Sequence, residues 1–565
     1  MNIKKSIKSI ICILLIGSMM ISCSANNIVD TNNDNNNLIT NTNELDTANE
    51  PVSDTDRISV QVGHEPDTFD PAENSLLDGM AILGHLFEGL LKYDQNGNLV
   101  CGIAESYKVS SDGLTWSFKL KDNLKWSDGS ELDADDLVYT WKRVADPTTA
   151  SSYAYDLLKQ VVGYDDASKG ELDALSVVAR DKKTFVVNLE SPCAYFDKIC
   201  AFCVLSPVKK EVVSRNGDWT EQPSSFISNG PFCVSKFTRD SIIVKKNEYY
   251  YDEKNVKLKE IEFVFQDNPE KTYDMYKNDK LLLIKDIPTY NMKDVIHNDD
   301  FHIDNMMGTY YISFNTRKEP FDNVKVRKAL SLAINRNYIS EIIMQGRGKA
   351  ATNFVGPGLT DVDGKSFEDQ TKEMYEKPFF DNDYFDLNFE EAKKALNEAG
   401  YKDMTRFPEL TYILNDEGYN KAIAEYIKQS WAKLGINVKL EYYSKAAFSK
   451  KRKTGEFDIV KSGWMCDWDD PSNILSVFET FSGHNYGKYS SNKFDQLVKE
   501  ARESNVLEDH YMKLHMAERV FLEDYAVIPI YYYETYWMQK DYLKNVRYSP
   551  YGILFFINAY IDKSN

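Results

Sequence analysis

Strand-like and helix-like segments alternate along most of this 565-residue chain. Residues 58–62 alternate apolar and polar side chains with a period of two, which predicts a half-buried β-strand. Residues 420–434 repeat apolar side chains at helical spacing, and an alternating, strand-like segment follows at 436–440. Asn388 and Glu391 match the pattern of a capping box, which predicts that a helix begins there. Strand and helix units joined by short loops favour α/β domains.

Length and charge limit the classes of protein to which the chain can belong. Residues 57–565 would form roughly two to four domains if each domain has ~100–200 residues. The formal net charge is −20. An acidic chain is a poor partner for nucleic acid, because the phosphates repel it. Anionic lipid headgroups would repel it in the same way, so we expect no nucleic-acid partner and no direct binding of the folded part to a membrane.

The chain has eight cysteines, too few for its length to form a disulfide scaffold. Cys200 and Cys203 have the spacing of a redox pair or of half a zinc site. No second pair of this kind and no suitable histidine pair follows in the sequence, so we expect no metal ion. Buried free thiols and one local disulfide remain as two interpretations of the cysteines.

Residues 1–22 have the features of a secretory signal peptide. Three lysines within the first eight positions precede an apolar run that is too short to span a bilayer, which takes roughly 20 apolar residues. The run ends at Cys23, and residues 20–23 (Met-Ile-Ser-Cys) resemble the lipobox of bacterial lipoproteins. That resemblance implies that Cys23 becomes the lipidated first residue. The alternative is an ordinary signal peptide with an incidental cysteine.

The segment after Cys23 is rich in Asn, Asp and Thr and poor in apolar residues. Such a composition cannot bury enough apolar surface to fold. We therefore interpret residues 23–57 as a disordered tether, which as a random coil would reach about 30 Å on average.

Motifs of catalysis are absent from the sequence. It contains no G-x-S-x-G, no H-E-x-x-H and no G-x-x-x-x-G-K-[ST] motif. Residues 346–351 fit G-x-G-x-x-A, but they follow a helical pattern and not a strand, which argues against a dinucleotide site. We therefore expect a protein that is not an enzyme and has no cofactor.

Several separated segments form an ordered set that is specific as a whole. They are residues 65–71 (EPDTFDP), 86–91 (LFEGLL), 116–120 (WSFKL), 125–130 (KWSDGS), 136–141 (DLVYTW), 229–232 (NGPF), 247–250 (NEYY), 320–330 (PFDNVKVRKAL), 457–458 (FD), 463–464 (GW) and 528–533 (IPIYYY). Together these segments resemble bacterial extracellular solute-binding proteins of family 5, in particular the oligopeptide-binding proteins of ABC importers.

The resemblance implies an α/β fold with two lobes that close over a ligand like a clamp, the type II architecture of periplasmic binding proteins, with an additional third domain. Lobe I would comprise residues 58–87, 210–315 and 535–565, and lobe II would comprise residues 316–534. Residues 88–209 would form the additional domain. Closure would be a hinge motion that ligand contacts with both lobes stabilise.

The same resemblance implies a peptide site around residues 463–467. Position matching assigns Asp467 to the peptide amine, and the backbone groups of Gly463 and Met465 to the peptide main chain. Trp464 would form a wall of a side-chain pocket. Main-chain recognition of this kind would make the identity of the peptide side chains matter little.

Further matched positions would complete the pocket. Arg452, Lys461 and Asn420 stand where relatives carry basic or histidine groups that meet the peptide carboxylate. Tyr153 and Tyr533 match pocket tyrosines.

The sequence departs from the family pattern at two places. Lys445 stands where some relatives have a tryptophan, and residues 74–77 lack an acidic residue that helps to hold the amine. Both departures bear on the length and the affinity of the bound peptide.

The resemblance implies a monomeric, lipid-anchored protein on the outer face of the cell membrane, which captures oligopeptides and delivers them to the membrane subunits of an ABC permease. A receptor for a signalling peptide, or a binder of another solute such as a metal chelate, is the alternative on the same fold. A peptidase is the alternative from a different class.

Overall fold

The computed structural model describes residues 55–215, 217–288 and 292–563. The predicted signal peptide, Cys23 and the predicted tether up to residue 54 lie outside these residues. Arg57 begins the first strand. None of the helices in the described ranges is long and apolar enough to cross a membrane.

The β-strands are β1 (Arg57–Val62), β2 (Leu91–Tyr93), β3 (Leu99–Cys101), β4 (Ala104–Val109), β5 (Thr115–Leu120), β6 (Val177–Asp181), β7 (Thr184–Asn188), β8 (Phe232–Phe237), β9 (Ser241–Lys246), β10 (Glu260–Phe265), β11 (Leu283–Ile284), β12 (Phe301–Phe314), β13 (Lys349–Ala350), β14 (Leu410–Asn415), β15 (Val438–Tyr443), β16 (Ile459–Met465), β17 (Val527–Gln539), β18 (Leu543–Lys544), β19 (Arg547–Ser549), β20 (Ile553–Phe555) and β21 (Tyr560–Ile561).

The α-helices are α1 (Leu77–Leu86), α2 (Ala134–Ala145), α3 (Ala154–Leu158), α4 (Tyr164–Ala167), α5 (Phe196–Cys200), α6 (Lys210–Val213), α7 (Pro269–Lys277), α8 (Met292–Val295), α9 (Val324–Leu332), α10 (Arg336–Tyr338), α11 (Phe367–Tyr375), α12 (Phe385–Glu398), α13 (Asn420–Ala432), α14 (Lys445–Thr454), α15 (Ser472–Leu475), α16 (Asn492–Glu503) and α17 (Leu507–Glu523). A π-helix spans Ile339–Ile343.

The largest sheet in the described chain has eleven strands in the order β15-β14-β16-β12-β17-β11-β1-β10-β9-β8, and β13 pairs with β17 beside this path. The parallel pairs β1–β10 and β14–β15 lie near opposite ends of the sheet. Separate hydrophobic cores cover the two halves, one around Ile58 and Phe263 and the other around Tyr412 and Trp431. The fold is therefore a two-lobed α/β architecture.

Two long strands, β12 and β17, pass from one lobe to the other. Residues 301–305 of β12 pair with residues 534–538 of β17 in lobe I. After an irregularity between Asn305 and Thr309, β12 pairs with the first half of β17 and with β16 in lobe II. Pairing with β16 begins at Gly308.

A third hydrophobic core consists mostly of residues between 88 and 209, and it also includes Ala72, Met80, Trp468 and Ile553. A four-stranded antiparallel sheet, β4-β5-β7-β6, packs against α2. Asp133 caps α2 by accepting a hydrogen bond from the backbone N–H of Asp135, and the helix buries Leu137 and Trp141 completely. This additional domain gives lobe II a second neighbour beside lobe I.

The structure confirms some local predictions and corrects others. Helix α13 begins at Asn420 as its apolar spacing predicts. The capping-box prediction at Asn388 is wrong, because α12 already begins at Phe385 and the Asn388 side chain donates to the backbone oxygen of Asp381. The six cysteines of the described chain are free thiols, so no local disulfide forms there.

Candidate functional site

Strand β16 has an open edge in the middle of the large sheet. Its partner β12 pairs with it along its whole length, from Ile459 to Met465. On the other side, β14 pairs only with Ile459 and Val460. Within the described ranges, β16 therefore has no neighbouring strand on that side from about residue 461 onward.

In an antiparallel pair, the alternation of hydrogen bonds determines which residues direct their backbone N–H and C=O groups toward the open edge. The backbone N–H of Cys466 donates to the backbone oxygen of Met307 at 2.7 Å, directly across the pair from β12. In an antiparallel ladder only every second residue bonds to a given neighbour. Trp464 therefore bonds toward β12, and Gly463 and Met465 direct their N–H and C=O groups to the open edge. Unpaired backbone groups of this kind are a template for an added strand.

Gly463 allows the Tyr533 side chain to lie directly on this strand. A Cβ atom added at Gly463 would overlap the hydroxyl oxygen of Tyr533. Burial raises the pKa of the Tyr533 phenol above its usual value. Gly463 and Tyr533, which were predicted as separate site residues, therefore contact each other at the edge of β16.

Asp467 follows two residues after the end of β16 and is partly buried. Its Oδ1 accepts a hydrogen bond from the hydroxyl of Tyr153 at 3.2 Å, across from the additional domain. Burial, together with the nearby negative charge of Asp156, raises the pKa of the Asp467 carboxyl to about 6. No cation of the described chain forms an ion pair with this carboxylate, so an ammonium group from a ligand would supply the missing charge.

Trp464 lines a cleft of about 1130 Å³ between the additional domain and lobe II, and Asp467 lies in the same wall. The indole N–H donates to Oδ1 of Asn473 at 2.8 Å, and the ring meets His484 edge-on at a centroid distance of 5.1 Å. Phe481, on the loop before His484, is 97 % exposed at the rim of this cleft. Sequence patterns do not indicate Phe481 or His484, because both residues lie in a loop without a periodic pattern.

Arg452 and Lys461 form a cationic pair, and the carboxylate of Glu417 interacts electrostatically with Lys461. The Arg452 guanidinium lies 4.6 Å from the ring centre of Tyr486, and Lys461 Nζ lies 5.3 Å from that of Tyr310. Burial and the charge of Arg452 lower the pKa of Lys461. Neither side chain makes a salt bridge to any described residue, and the buried Arg452 Nε has no hydrogen-bond partner there. An anion placed between them would relieve their repulsion.

Asn420 lies at the first turn of α13 and is buried. Its amide group donates to the backbone oxygen of Asn415 at 3.3 Å and to the Asn415 side chain at 3.2 Å. The structure thus gives the Asn420 donor a local partner at the end of β14.

The chain has two lobes, an additional domain and a strand edge with opposite charges near its two ends. This combination is typical of the extracytoplasmic solute-binding proteins, which close around a ligand. The model of bacterial extracellular solute-binding proteins, family 5 (middle region), matches residues 98–486. The chain belongs to this family.

Individual relatives agree with this assignment. The oligopeptide-binding protein OppA of Bacillus subtilis is 30 % identical over 515 residues, which is 89 % of this chain and 92 % of that protein. The dipeptide-binding protein DppE of the same organism is 29 % identical over 497 residues, 87 % of this chain and 89 % of that protein.

Solved structures show the same architecture over nearly the whole chain. The unliganded open form of MppA, a periplasmic murein tripeptide binding protein, superimposes with a TM-score of 0.79 at 26 % identity, over 90 % of this chain and 98 % of that chain. The Haemophilus influenzae OppA complex with the peptide RPPGFSPFR gives a TM-score of 0.70 at 27 % identity, over 91 % and 100 % of the two chains.

Proposed function

We propose that this protein captures oligopeptides in an extended conformation outside the cell and delivers them to an ABC permease. The observation that carries the proposal is the open edge at Gly463 and Met465, with the unpaired carboxylate of Asp467 at one end and the unpaired cations Arg452 and Lys461 at the other. A peptide has a main chain for the edge, an ammonium for Asp467 and a carboxylate for the cations. The peptide-binding names of the relatives support the same ligand class.

The spacing along β16 indicates the length of the peptide. Asp467 lies six positions after Lys461, which corresponds to about 20 Å of extended chain at ~3.3 Å per residue. A peptide of about four to six residues would therefore place its termini at the two charged groups.

A peptide site outside the cell fits the predicted export signal. We propose that Cys23 carries the lipid that holds the protein at the membrane, and that residues up to about 57 connect this lipid to lobe I. The folded part would act as a monomer, with lobe I, lobe II and the additional domain divided as the resemblance implies.

Native mass spectrometry tests the proposal directly. The purified protein is mixed with alanine-based peptides of two to eight residues that have free termini, and the bound masses are recorded. We expect one intact peptide per protein molecule, with a maximum of occupancy at an intermediate length. Absence of any retained peptide would refute peptide capture, and recovery of shortened peptides would indicate a peptidase.

A further inference from the structure

A small pocket lies where helix α1 and the β19–β20 hairpin of lobe I meet residues 201–206 of the additional domain. Its volume is about 120 Å³, and its walls are mostly apolar, with Phe202 and Ile553 among them. It shares no lining residue with the cleft of Trp464 and Asp467. The pocket is therefore separate from the cleft to which we assign the peptide.

One charged residue that lines this pocket, Arg547, forms no ion pair with the described chain. Its guanidinium lies 4.1 Å from the ring centre of Phe555, the residue opposite it in the pair of β19 and β20. Among the described residues, its side chain makes neither a salt bridge nor a hydrogen bond. Burial lowers the pKa of the Arg547 guanidinium to about 10, because the nearby charges compensate only part of the loss of solvation.

The carboxylates near Arg547 accept hydrogen bonds from other donors. Asp94 interacts with Arg547 electrostatically, but its oxygens accept from two asparagines of its own turn. Glu88, which also lines the pocket, accepts from Lys92 and from two tyrosine hydroxyls. The described chain therefore leaves the donors of the Arg547 guanidinium without an acceptor at this pocket.

A ligand that matches this pocket has an anionic head and a small apolar body. A planar guanidinium binds a carboxylate through two parallel hydrogen bonds, which fixes the head. An apolar cavity of about 150 Å³ is enough to bind benzene, and this pocket is slightly smaller. Its volume therefore favours a body of about four to six carbon atoms and excludes an oligopeptide.

We propose that this pocket, with Arg547 at its charged end, binds a small free monocarboxylate that has an apolar body. The site does not depend on the proposed peptide function. Its walls come from lobe I and from the additional domain, so the bound carboxylate connects these two parts of the molecule. Tyr93 and Tyr551 already meet across the same joint, with their hydroxyl oxygens 3.3 Å apart. A ligand that binds only the folded state increases its stability.

Ligand-observed NMR titration of the purified protein with benzoate and with isovalerate tests the site. Benzamide and isovaleramide are the matched uncharged probes, and acetate is the carboxylate that lacks an apolar body. We expect benzoate or isovalerate to bind at least about tenfold more tightly than its amide and than acetate. The bound carboxylate should also raise the melting temperature of the protein, by an amount that increases with its concentration.

Substitutions at the two ends of the pocket separate the head from the body of the ligand. Arg547→Gln removes the charge and should reduce the preference for the carboxylate over its amide below about threefold, and Arg547→Lys should restore part of it. Ala201→Leu adds volume at the wall of the pocket and should weaken binding of the preferred carboxylate by at least about tenfold. Arg406→Gln changes an arginine whose side chain is 86 % exposed and should leave binding unchanged.

Three results would overturn the proposal. Wild-type protein that binds carboxylate and amide equally, or that binds neither, has no such site. A preference for the carboxylate that is unchanged in Arg547→Gln places the anion elsewhere; if this variant does not fold, unchanged binding in Ala201→Leu excludes the pocket instead. Displacement of the bound carboxylate by penta-alanine would place it in the peptide cleft, whereas continued binding beside the peptide supports a separate site.

Discussion

Replacing Asp467 with asparagine keeps the shape of the side chain and an oxygen that can accept the Tyr153 hydrogen bond, but it removes the charge. Asp467 has no cation partner in the described chain and has a pKa raised to about 6 by burial. An ammonium group bound there would thus be its main counter-ion. Truncating one partner of a desolvated charge pair costs ~2–5 kcal/mol, which corresponds to roughly 30-fold to several-thousand-fold in the dissociation constant.

The ligand offers the matching perturbation, because N-acetylation removes the peptide ammonium. Asp467→Asn and N-acetylation break the same interaction, so their effects should not add. Titration calorimetry on the four combinations measures this coupling, and Asp403→Asn, an exposed cap of a short helical turn, is the matched control. Additive losses, or a loss below about threefold for Asp467→Asn, would show that this carboxylate does not hold the amine.

The raised pKa of the Asp467 carboxyl predicts how peptide affinity depends on pH. The carboxylate must be ionised to bind the ammonium, so affinity should fall by up to about tenfold for each pH unit below 6. Stability of the empty protein should respond in the opposite sense. The raised pKa means that the folded state holds the proton more tightly, so this group lowers stability as pH rises from the unfolded pKa toward 6. At pH 7.5, empty Asp467→Asn should therefore unfold at no lower a temperature than wild type.

Three further perturbations test other parts of the molecule. Gly463→Ala should weaken peptide binding because its Cβ overlaps the Tyr533 hydroxyl, and adding Tyr533→Phe should recover much of the affinity; no recovery would contradict the steric reason. His510 is buried 2.9 Å from Asp470, which raises the pKa of the imidazole. This pair should stabilise the fold fully below pH ~6.5 and lose its effect as pH rises through the raised pKa of His510. The free energy of unfolding should therefore fall more steeply above pH ~6.5 in wild type than in His510→Gln, and parallel curves would exclude the pair. Cys23→Ala should abolish fatty-acid labelling of the protein, and unchanged labelling would place the lipid elsewhere.

The sequence by itself was sufficient to predict the family, whereas its site residues remain predictions. The order of its short motifs predicted a two-lobed α/β protein, since each motif keeps its place along the chain even where it is weak alone. The segment 463–467 placed a glycine, a tryptophan and an aspartate at the end of a strand, and Trp464 and Asp467 line the same cleft. Local patterns were less dependable at Asn388, because a helix can begin before a residue that resembles a cap when the preceding turn already adopts helical geometry.

Only the tertiary structure decided which groups of these residues are left without a partner in the described chain. The edge of β16 is open because β14 pairs no further than Val460, and no local pattern records where two strands separate. Tyr153 meets Asp467 across 314 positions of sequence. Arg347 lies within the glycine motif at residues 346–351. Only the folded structure shows that its buried Nε and Nη2 have no hydrogen-bond partner in the described chain. Periodicity and motif order reflect neighbours along the chain, whereas unpaired charges and open edges depend on groups that only folding brings together.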